Sequence, residues 1–403
     1  MSGPRIVLVS RSFWPLLGGP EVNLARLAAG LHARGATVTV LTACWQPDWP
    51  ETFEDRGVHV VRLRPPFGSR WATLAYIARL SRWLQHHHRE FDLVYVSELK
   101  HEAYAAMFAS RRGGFPVVLR AEHAGLAGDC HWQLTARCGR RIKRRCRQAS
   151  YIIAPTAAVE RELIAAGYPR DRLRVIRGGV PIVPEVAPDG RAEARTALAQ
   201  TDPHLSLAGA GPVVVYVGRL SAEAKGLSDL LQAWRKVVNV LSKARLWMVG
   251  EGPDVEKLRS QVGALDLVSS VAFAGAFDDV DDFLQAADLF VMPARESRAS
   301  LALLEAMSWG LPIVATATGE TQALIEHGQQ GWLVPPADPA MLAEGILQLV
   351  KNPELAASLG DGARRSASHE FSLERVVEQH WSLFQETLDR SRTEPAPAPG
   401  STP

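Results

Sequence analysis

Two cationic side chains follow a short apolar run in the second half of the chain. The run Val213–Val217 has the composition of a buried strand, and Arg219 comes two residues after it. Lys225 then precedes a stretch whose apolar spacing predicts a helix over Leu227–Val238. Free amides at the start of a helix favour anions. Arg219 and Lys225 add two positive charges there, which can neutralise a diphosphate as it leaves. The pattern indicates phosphate chemistry, with an ordinary basic surface loop as the alternative.

A second polar segment, residues 294–307, follows the predicted strand Leu289–Met292. Its small residues lead into a helix, and such a turn lets the amides of Ser300 and Leu301 approach a phosphate or a sugar. Glu305 lies in that helix between apolar neighbours, where a carboxylate usually has a partner. We expect Glu305 to accept hydrogen bonds from sugar or ribose hydroxyls, the alternative being a solvated helix residue.

Alternating strands and helices must position these residues. Short β-branched runs are separated by amphipathic stretches along the whole chain, which predicts an α/β fold with parallel sheets. The predicted strands are Ile6–Val9, Val38–Leu41, Val58–Leu63, Leu93–Val96, Val117–Leu119, Ile152–Ile153, Val213–Val217, Leu246–Val249, Val271–Phe273, Leu289–Met292 and Ile313–Ala315. Ligands of such open sheets bind beyond the carboxyl ends of the strands, and the polar segments lie there.

The length of 403 residues favours two doubly wound domains over one. Between Val183 and Gly211 the strand pattern gives way to Pro, Gly, Ala and Asp, which predicts a linker. The end of the chain has no periodicity and predicts disorder. The expected division is a first domain over residues 1–185, a linker over 186–210, a second domain over 211–370, a helix over 371–392 that packs back toward the first domain, and a disordered tail over 393–403.

Composition narrows the class of protein. The apolar fraction is 47%, the charged fraction is 22% and the net charge is +2, which is typical of a globular chain and not of a general nucleic-acid binder. Four cysteines in a chain of this length do not indicate a disulfide framework, so we expect a reduced, cytoplasmic compartment. No apolar run reaches the ~20 residues that cross a bilayer, so any membrane association would be peripheral.

Motifs spread over nearly the whole chain occur in a definite order. They are Gly18-Gly19, Gly218-Arg219-Leu220 with Lys225-Gly226, Gly250-Glu251-Gly252-Pro253, Ala286-Ala287-Asp288-Leu289, Leu304-Glu305-Ala306-Met307 with Gly310-Leu311-Pro312, and Gly331-Trp332-Leu333-Val334-Pro335-Pro336. As a set they resemble glycosyltransferase family 4, whose members are retaining enzymes. The resemblance implies the GT-B fold, in which two facing Rossmann-like doubly wound domains border an interdomain cleft. The first domain would bind the acceptor and the second a nucleotide-diphosphate sugar, which is a substrate and not a cofactor.

The resemblance also implies roles for individual residues. Arg219 and Lys225 would hold the donor diphosphate, and Glu305 would bind the ribose hydroxyls. His123, which follows the strand Val117–Leu119, would contact the donor sugar, the alternative being a structural histidine. The implied donor site is Gly18, Gly19, Gly218, Arg219, Lys225, Gly250, Ser300, Leu301 and Glu305, and the implied catalytic residues are His123, Glu296, Arg219 and Lys225.

One position departs from the family pattern. The family has a glutamate beside the donor sugar eight residues before its second glutamate, but Ser297 lies eight residues before Glu305, and Glu296 lies nine before it. Either a one-residue bulge in the backbone places Glu296 beside the donor sugar, or the contact between a glutamate and that sugar is lost. We favour Glu296 because a serine cannot replace a carboxylate.

A metal site is not expected. Asp279-Val280-Asp281 resembles the acidic metal-binding motif of other glycosyltransferases, but it lies just before a short apolar helix, where Asp is a favoured cap. His86-His87-His88 has no partner ligands at suitable spacing, and the cysteines from Cys130 to Cys146 are too far apart for a zinc knuckle.

A dense basic segment requires its own explanation in a chain of nearly balanced charge. Its members are Arg137, Arg140, Arg141, Lys143, Arg144, Arg145 and Arg147. A solvated helix face, an anionic membrane surface and an acidic glycan are all compatible with this charge.

The resemblance implies a glycosyltransferase in cell-surface polysaccharide or glycolipid biosynthesis, and the motifs of two other classes of nucleotide-binding enzyme are missing from the sequence. A dehydrogenase would carry Gly-x-Gly-x-x-Gly after its first strand, yet Arg11-Ser12-Phe13-Trp14-Pro15 stands there, and the chain has no Gly-x-x-x-x-Gly-Lys-Ser/Thr run. A sugar-nucleotide epimerase of the same fold and a non-catalytic sugar-nucleotide binder stay open as alternatives. The donor sugar and base, the acceptor, the linkage and the oligomeric state are not specified by these residues.

Overall fold

The chain forms two compact units. The computed structural model describes residues 3–16, 18–64, 71–184, 190–202, 205, 211–277, 279–295 and 301–393. One unit comprises residues 1–179 and 373–403, and the other comprises residues 180–372. Each has its own parallel sheet covered by helices, so the predicted α/β class with two parallel sheets is confirmed.

The first unit contains an eight-stranded sheet within the described residues, in the order β3-β4-β2-β1-β5-β6-β7-β8. Its strands are β1 (Arg5–Val9), β2 (Thr37–Ala43), β3 (Thr52–Asp55), β4 (Val58–Leu63), β5 (Leu93–Ser97), β6 (Val117–Arg120), β7 (Tyr151–Ala154) and β8 (Leu173–Val175). Its helices up to β8 are α1 (Gly19–Ala33), α2 (Ala72–His86), α3 (His101–Gly113), α4 (Asp129–Thr135), α5 (Gly139–Cys146) and α6 (Ala157–Ala165), with 3₁₀ turns at Gly125–Ala127 and Arg170–Arg172. The strands pair in parallel, except that β3 runs antiparallel to β4.

Alternation along β1 divides the core of this unit into two layers. Val7 and Val9 pack on one face of the sheet with α2 and α3, and Ile6 and Leu8 pack on the other face with α1. Successive side chains of a strand point to opposite faces, and a parallel sheet covered on both sides reads as a continuous apolar run. This is why β1 is recognisable from sequence.

The second unit contains a six-stranded parallel sheet within the described residues, in the order β11-β10-β9-β12-β13-β14. Its strands are β9 (Val213–Val217), β10 (Arg245–Val249), β11 (Val271–Gly275), β12 (Leu289–Met292), β13 (Ile313–Thr316) and β14 (Trp332–Val334). Its helices are α7 (Gly190–Thr201), α8 (Leu227–Val240), α9 (Val255–Ala264), α10 (Asp281–Ala286), α11 (Leu301–Ser308), α12 (Thr321–Leu324), α13 (Pro339–Lys351) and α14 (Pro353–Glu370). Its core also has two layers, with Val213 and Val215 on one face of β9 and Val214 and Tyr216 on the other.

A helix lies inside the segment that the sequence predicts as a linker. Helix α7 buries Ala194 and Leu198, and Arg195 donates to Asp288 Oδ2 at 2.7 Å. The loss of strand periodicity predicts a linker here, but the Ala-rich stretch has high helix propensity and an apolar face, and it forms a helix. The first unit also ends at Gly179, before the expected boundary at residue 185.

The last helix, α15 (Leu373–Thr393), belongs to the first unit. It buries Val376, Val377, Leu383 and Phe384 in the layer that contains Ile6. A side chain at Gly30 of α1 would overlap Val377, so these two helices pack closely. Among the described residues, no helix has both the length and the apolar character needed to cross a bilayer.

Candidate functional site

The strand order of the second unit creates a crevice at one place. From β9 the chain builds the sheet outward through β10 and β11, and it then returns to β12 on the other side of β9 and continues through β13 and β14. The loops after β9 and β12 therefore leave neighbouring strands toward different helices. In open α/β sheets ligands bind at such a switch point, outside the carboxyl ends of the strands.

Gly218 and Gly250 are the first residues after β9 and β10, and they contact each other at this edge of the sheet. Gly218 N donates to Val249 O at 2.9 Å, and a Cβ at Gly250 would overlap the carbonyl oxygen of Gly218. Their φ angles are 148° and 135°, values that side-chain-bearing residues rarely adopt. Tyr216 Oη donates to the carbonyl of Arg219 at 3.0 Å and fixes the start of the loop. The structure thus brings these two predicted glycines together.

Arg219 and Lys225 lie on the loop between β9 and α8. Arg219 is exposed and Lys225 is half-buried. Gly226, directly after Lys225, has a φ of 65° and caps α8, and a Cβ there would overlap the carbonyl oxygen of Pro293. The loop that carries the two cations therefore packs against the backbone that follows β12.

The segment after β12 supplies the remaining predicted donor residues. Leu301 is the first residue of α11, and Glu305 is half-buried one turn further along it. Glu296 and Ser300, like Ser297, lie outside the described residues, so the choice between Glu296 and Ser297 stays a prediction.

Sequence reasoning missed an ionic cluster between these two loops. Arg295 donates to both carboxylate oxygens of Asp229 at 2.6 Å and to Glu223 Oε2 at 3.0 Å. The hydrogen bond with Asp229 raises the pKa of Arg295 further above its usual value. Both Arg295 and Asp229 follow strands that border the switch point, so the rule used for Arg219 and Lys225 would have found them.

The first unit has its own switch point, between β1 and β5. Gly18 precedes α1 in an extended conformation, and Gly19 is the first helical residue. A Cβ at Gly18 would lie 2.7 Å from Glu21 Oε2, so the carboxylate of the first turn packs against this glycine. Burial raises the pKa of Glu21 above its usual value.

His123 lies in a loop of the first unit that is held by buried carboxylates. It is half-buried and follows β6 by three residues. Asp129 accepts the backbone N–H groups of Glu122 at 2.8 Å and of Leu99 at 2.9 Å, which ties the loops after β6 and β5 together. Sequence reasoning did not identify these acids.

Glu122 itself is a perturbed acid beside His123. It accepts from Ser97 Oγ at 2.7 Å and lies 3.4 Å from Arg120 Nε, with only 9% of its side chain exposed. Burial raises the pKa of Glu122 to about 7, although the charge of Arg120 acts in the opposite direction. Perturbed carboxyl groups of this kind are common at functional sites. Ser97 is the last residue of β5, and Glu122 follows the neighbouring strand β6 by two residues.

The motifs considered for metal binding have local hydrogen-bond partners. Asp279 Oδ1 accepts the backbone N–H of Asp281 at 2.9 Å at the start of α10. His86, His87 and His88 each use Nδ1 to contact a backbone carbonyl within 2.9 Å. Over the described ranges no group of three or more His, Cys, Asp or Glu side chains is arranged to hold a metal ion.

The basic segment forms helix α5 and its flanks. Ile142 and Cys146 are buried and anchor the helix, and Lys143 and Arg145 are half-buried. The exposed cations are Arg137, Arg140, Arg141, Arg144 and Arg147. Leu134 on the preceding helix is 69% exposed, so an apolar side chain stands beside this charge in sequence.

The families that the chain matches divide it into two parts, each of which lies within one of the two units of the structure. Residues 18–179 match the family described as "Glycosyl transferase 4-like domain", and residues 211–352 match "Glycosyl transferases group 1". N-acetyl-alpha-D-glucosaminyl L-malate synthase of Bacillus anthracis is 32% identical over 166 residues, which are 41% of this chain and 43% of that relative. The chain thus spans less than half of the length of that relative.

Two further proteins match over nearly the whole chain. The 2-deoxystreptamine N-acetyl-D-glucosaminyltransferase of Streptomyces fradiae is 27% identical over 91% of this chain and 92% of its own. The structure of Anabaena HepE in complex with UDP and glucose superposes with a TM-score of 0.76 at 23% identity, covering 95% of this chain and 99% of that one. The chain therefore belongs to the glycosyltransferases of the GT-B fold, of the family 4 kind.

Proposed function

We propose that this protein is a retaining, metal-independent hexosyltransferase that moves a sugar from a nucleotide diphosphate to a glycan or lipid-linked acceptor. The observation that carries the proposal is the pair Arg219 and Lys225 on the loop after β9, at the switch point of the second sheet. Breaking the glycosidic bond leaves negative charge on the diphosphate. Two cations and the start of α8 offset that charge without a metal ion.

The other predicted residues have distinct parts in this proposal. Glu305 binds the ribose hydroxyls, Gly218 and Gly250 let backbone approach the nucleotide, and Glu296 accepts hydroxyls of the donor sugar. His123 and the Gly18-Gly19 loop of the first unit contact the donor sugar and phosphate. The leaving phosphate oxygen takes the acceptor proton, so no separate base is needed.

The first donors to test are uridine nucleotides. HepE was solved with UDP, and the names of the two relatives above both contain N-acetylglucosaminyl. We therefore propose UDP-glucose and UDP-N-acetylglucosamine as the leading candidates, in polysaccharide or glycolipid assembly.

A peripheral membrane position accompanies this function. Five exposed arginines on and beside α5, together with exposed Leu134, have the charge and apolar character that suit an anionic lipid surface. A lipid-linked acceptor would be reached from such a surface. A solvated face and an acidic glycan are the competing explanations of the same charge.

Donor binding and turnover test the proposal together. A donor at 100 times its dissociation constant adds about 2.7 kcal/mol of stability, which a thermal shift detects. We expect UDP-sugar to stabilise the protein, and UDP release to accelerate with acceptor present and to be unaffected by EDTA. Free epimerised UDP-sugar without acceptor would instead identify an epimerase. Binding without turnover would identify a non-catalytic binder, and activity restored only by Mn²⁺ or Mg²⁺ would refute metal independence.

A further inference from the structure

Arg295 connects the two loops that border the switch point of the second unit. It follows β12, and its guanidinium makes a two-pronged contact with Asp229 in the first turn of α8, both N–O distances being 2.6 Å. A third guanidinium nitrogen donates to Glu223 Oε2 at 3.0 Å. Its backbone N–H also donates to Ala224 O at 3.2 Å. Side chain and backbone of one residue thus hold the neighbouring loop.

All of these contacts surround one residue of that loop, Lys225. Glu223 and Ala224 precede it, and Gly226 and Asp229 follow it. Gly226 packs so closely on the carbonyl of Pro293 that no side chain would fit. The backbone of Lys225 is therefore fixed on both sides by residues 293–295.

Among these contacts of Arg295, the one with Asp229 is the strongest. The Asp229 side chain is 7% exposed, whereas that of Arg295 is 38% exposed. A buried carboxylate without its partner carries a large desolvation cost, so Asp229 holds the guanidinium firmly. Arginine fits this position because its planar fork matches both carboxylate oxygens, and a lysine ammonium does not.

We propose that Arg295 is a positioning residue that holds Lys225 where charge develops on the leaving diphosphate, an assignment that rests on the proposed function. Lysine carries its charge on a flexible four-carbon stem, so the place of the ammonium depends on a fixed backbone. Arg295 makes no contact with the diphosphate in this scheme. It acts on turnover through Lys225 alone.

A double-mutant cycle on the full chain tests this, with UDP-sugar as donor. We expect Arg295→Ala to lower kcat by on the order of 10²-fold while KM changes little, because a small misplacement of a catalytic group is costly. Arg295→Lys should recover only part of the loss. In a Lys225→Ala background, Arg295→Ala should have no further effect on kcat. The matched control is Arg259→Ala, an exposed arginine of α9 whose Nε lies 4.0 Å from Glu256 Oε1, and it should leave kcat unchanged.

Different results overturn different statements. Independent, additive losses in the cycle, or an unchanged kcat in Arg295→Ala, overturn the assignment of Arg295. If the unmodified protein neither binds UDP nor turns over UDP-sugar, the proposed function is overturned, and the assignment of Arg295 that rests on it is overturned too. If Arg295→Ala does not fold, Glu223→Ala removes one contact of Arg295 at an exposed side chain, and a loss of kcat that vanishes in the Lys225→Ala background supports the assignment. An additive loss in that variant overturns it.

Discussion

Gly250 lies against the backbone carbonyl of Gly218 so closely that no side-chain carbon fits between them. The first residue follows β10 and the second follows β9, so this contact joins the loops of two adjacent strands. Gly250 also has a φ of 135°, outside the range of ordinary residues. The proposed nucleotide site thus rests on a backbone-to-backbone contact.

We therefore expect Gly250→Ala to lower both stability and donor binding. The strained φ alone costs roughly 1 to 3 kcal/mol, and the overlap with Gly218 adds to it. Urea unfolding and calorimetric titration with UDP measure the two effects. The control is Gly263→Ala in α9, where nothing lies within 4 Å and where replacing a helical glycine should be neutral or stabilising by up to about 1 kcal/mol. Equal stability and equal UDP affinity of the two variants would contradict the role proposed for the contact between Gly250 and Gly218.

The strands that the sequence did not predict are β3, β8 and β14, and each is the edge of its sheet. An edge strand is covered less completely, so it lacks a continuous apolar run. β3 alternates between exposed and half-buried residues, and β8 and β14 have only three residues each. Central strands such as β9 were placed from sequence because both of their faces are buried.

The candidate site was predictable only in part for a related reason. Arg219, Lys225 and Glu305 are recognisable from their position after a strand or inside a helix. The pairing of Arg295 with Asp229 joins residues 66 positions apart and depends on β9 lying beside β12. The pKa of Glu122 depends on burial by residues from several strands. Such properties belong to the assembled sheet and not to a local pattern.

Replacing either cation of the proposed phosphate site should reduce turnover more than donor affinity. Arg219 and Lys225 oppose charge that grows as the bond breaks, so Arg219→Ala and Lys225→Ala should each cost about 2.7 to 4 kcal/mol of transition-state stabilisation. Steady-state kinetics with UDP-sugar and titration with UDP separate the two effects. Unchanged turnover in both variants would defeat the assignment.

Glu122 should make the stability of the first unit depend on pH. Its pKa is about 7 in the folded protein against an ordinary 4.5, so the folded state holds this proton more tightly than the unfolded state. The stabilisation is complete below pH 4.5 and is lost as pH rises through 7. Glu122→Gln removes this titration, so the free energy of unfolding of the wild type should fall relative to the variant by roughly 1 to 3 kcal/mol between pH 4.5 and 8. The free energies of unfolding of both proteins are measured with urea. If they depend on pH in the same way, Glu122 does not titrate as described.

The exposed cations around α5 should confer binding to anionic vesicles. Replacing Arg137, Arg140 and Arg144 with Ala should weaken the free energy of binding to phosphatidylserine vesicles by about 1 kcal/mol for each charge, as measured by sedimentation. Added salt should weaken the binding of the wild type as well. Exposed Lys236, Lys243 and Arg259 of the second unit provide a triple-alanine control with the same loss of charge. Equal sedimentation of the wild type with neutral and anionic vesicles would leave the solvated face or an acidic glycan as the explanation.

The register of Glu296 and Ser297 is the sharpest remaining question about the donor sugar. Spacing to Glu305 favours Ser297, but a carboxylate accepts two sugar hydroxyls and a serine cannot. We expect Glu296→Gln to reduce transfer sharply while titration with UDP is unchanged, because UDP lacks the transferred sugar that Glu296 would contact. Ser297→Ala should have little effect on either measurement, and it serves as the neighbouring control. If Ser297→Ala is the damaging change and Glu296→Gln is silent, the one-residue bulge does not exist and Glu296 has no part in binding the sugar.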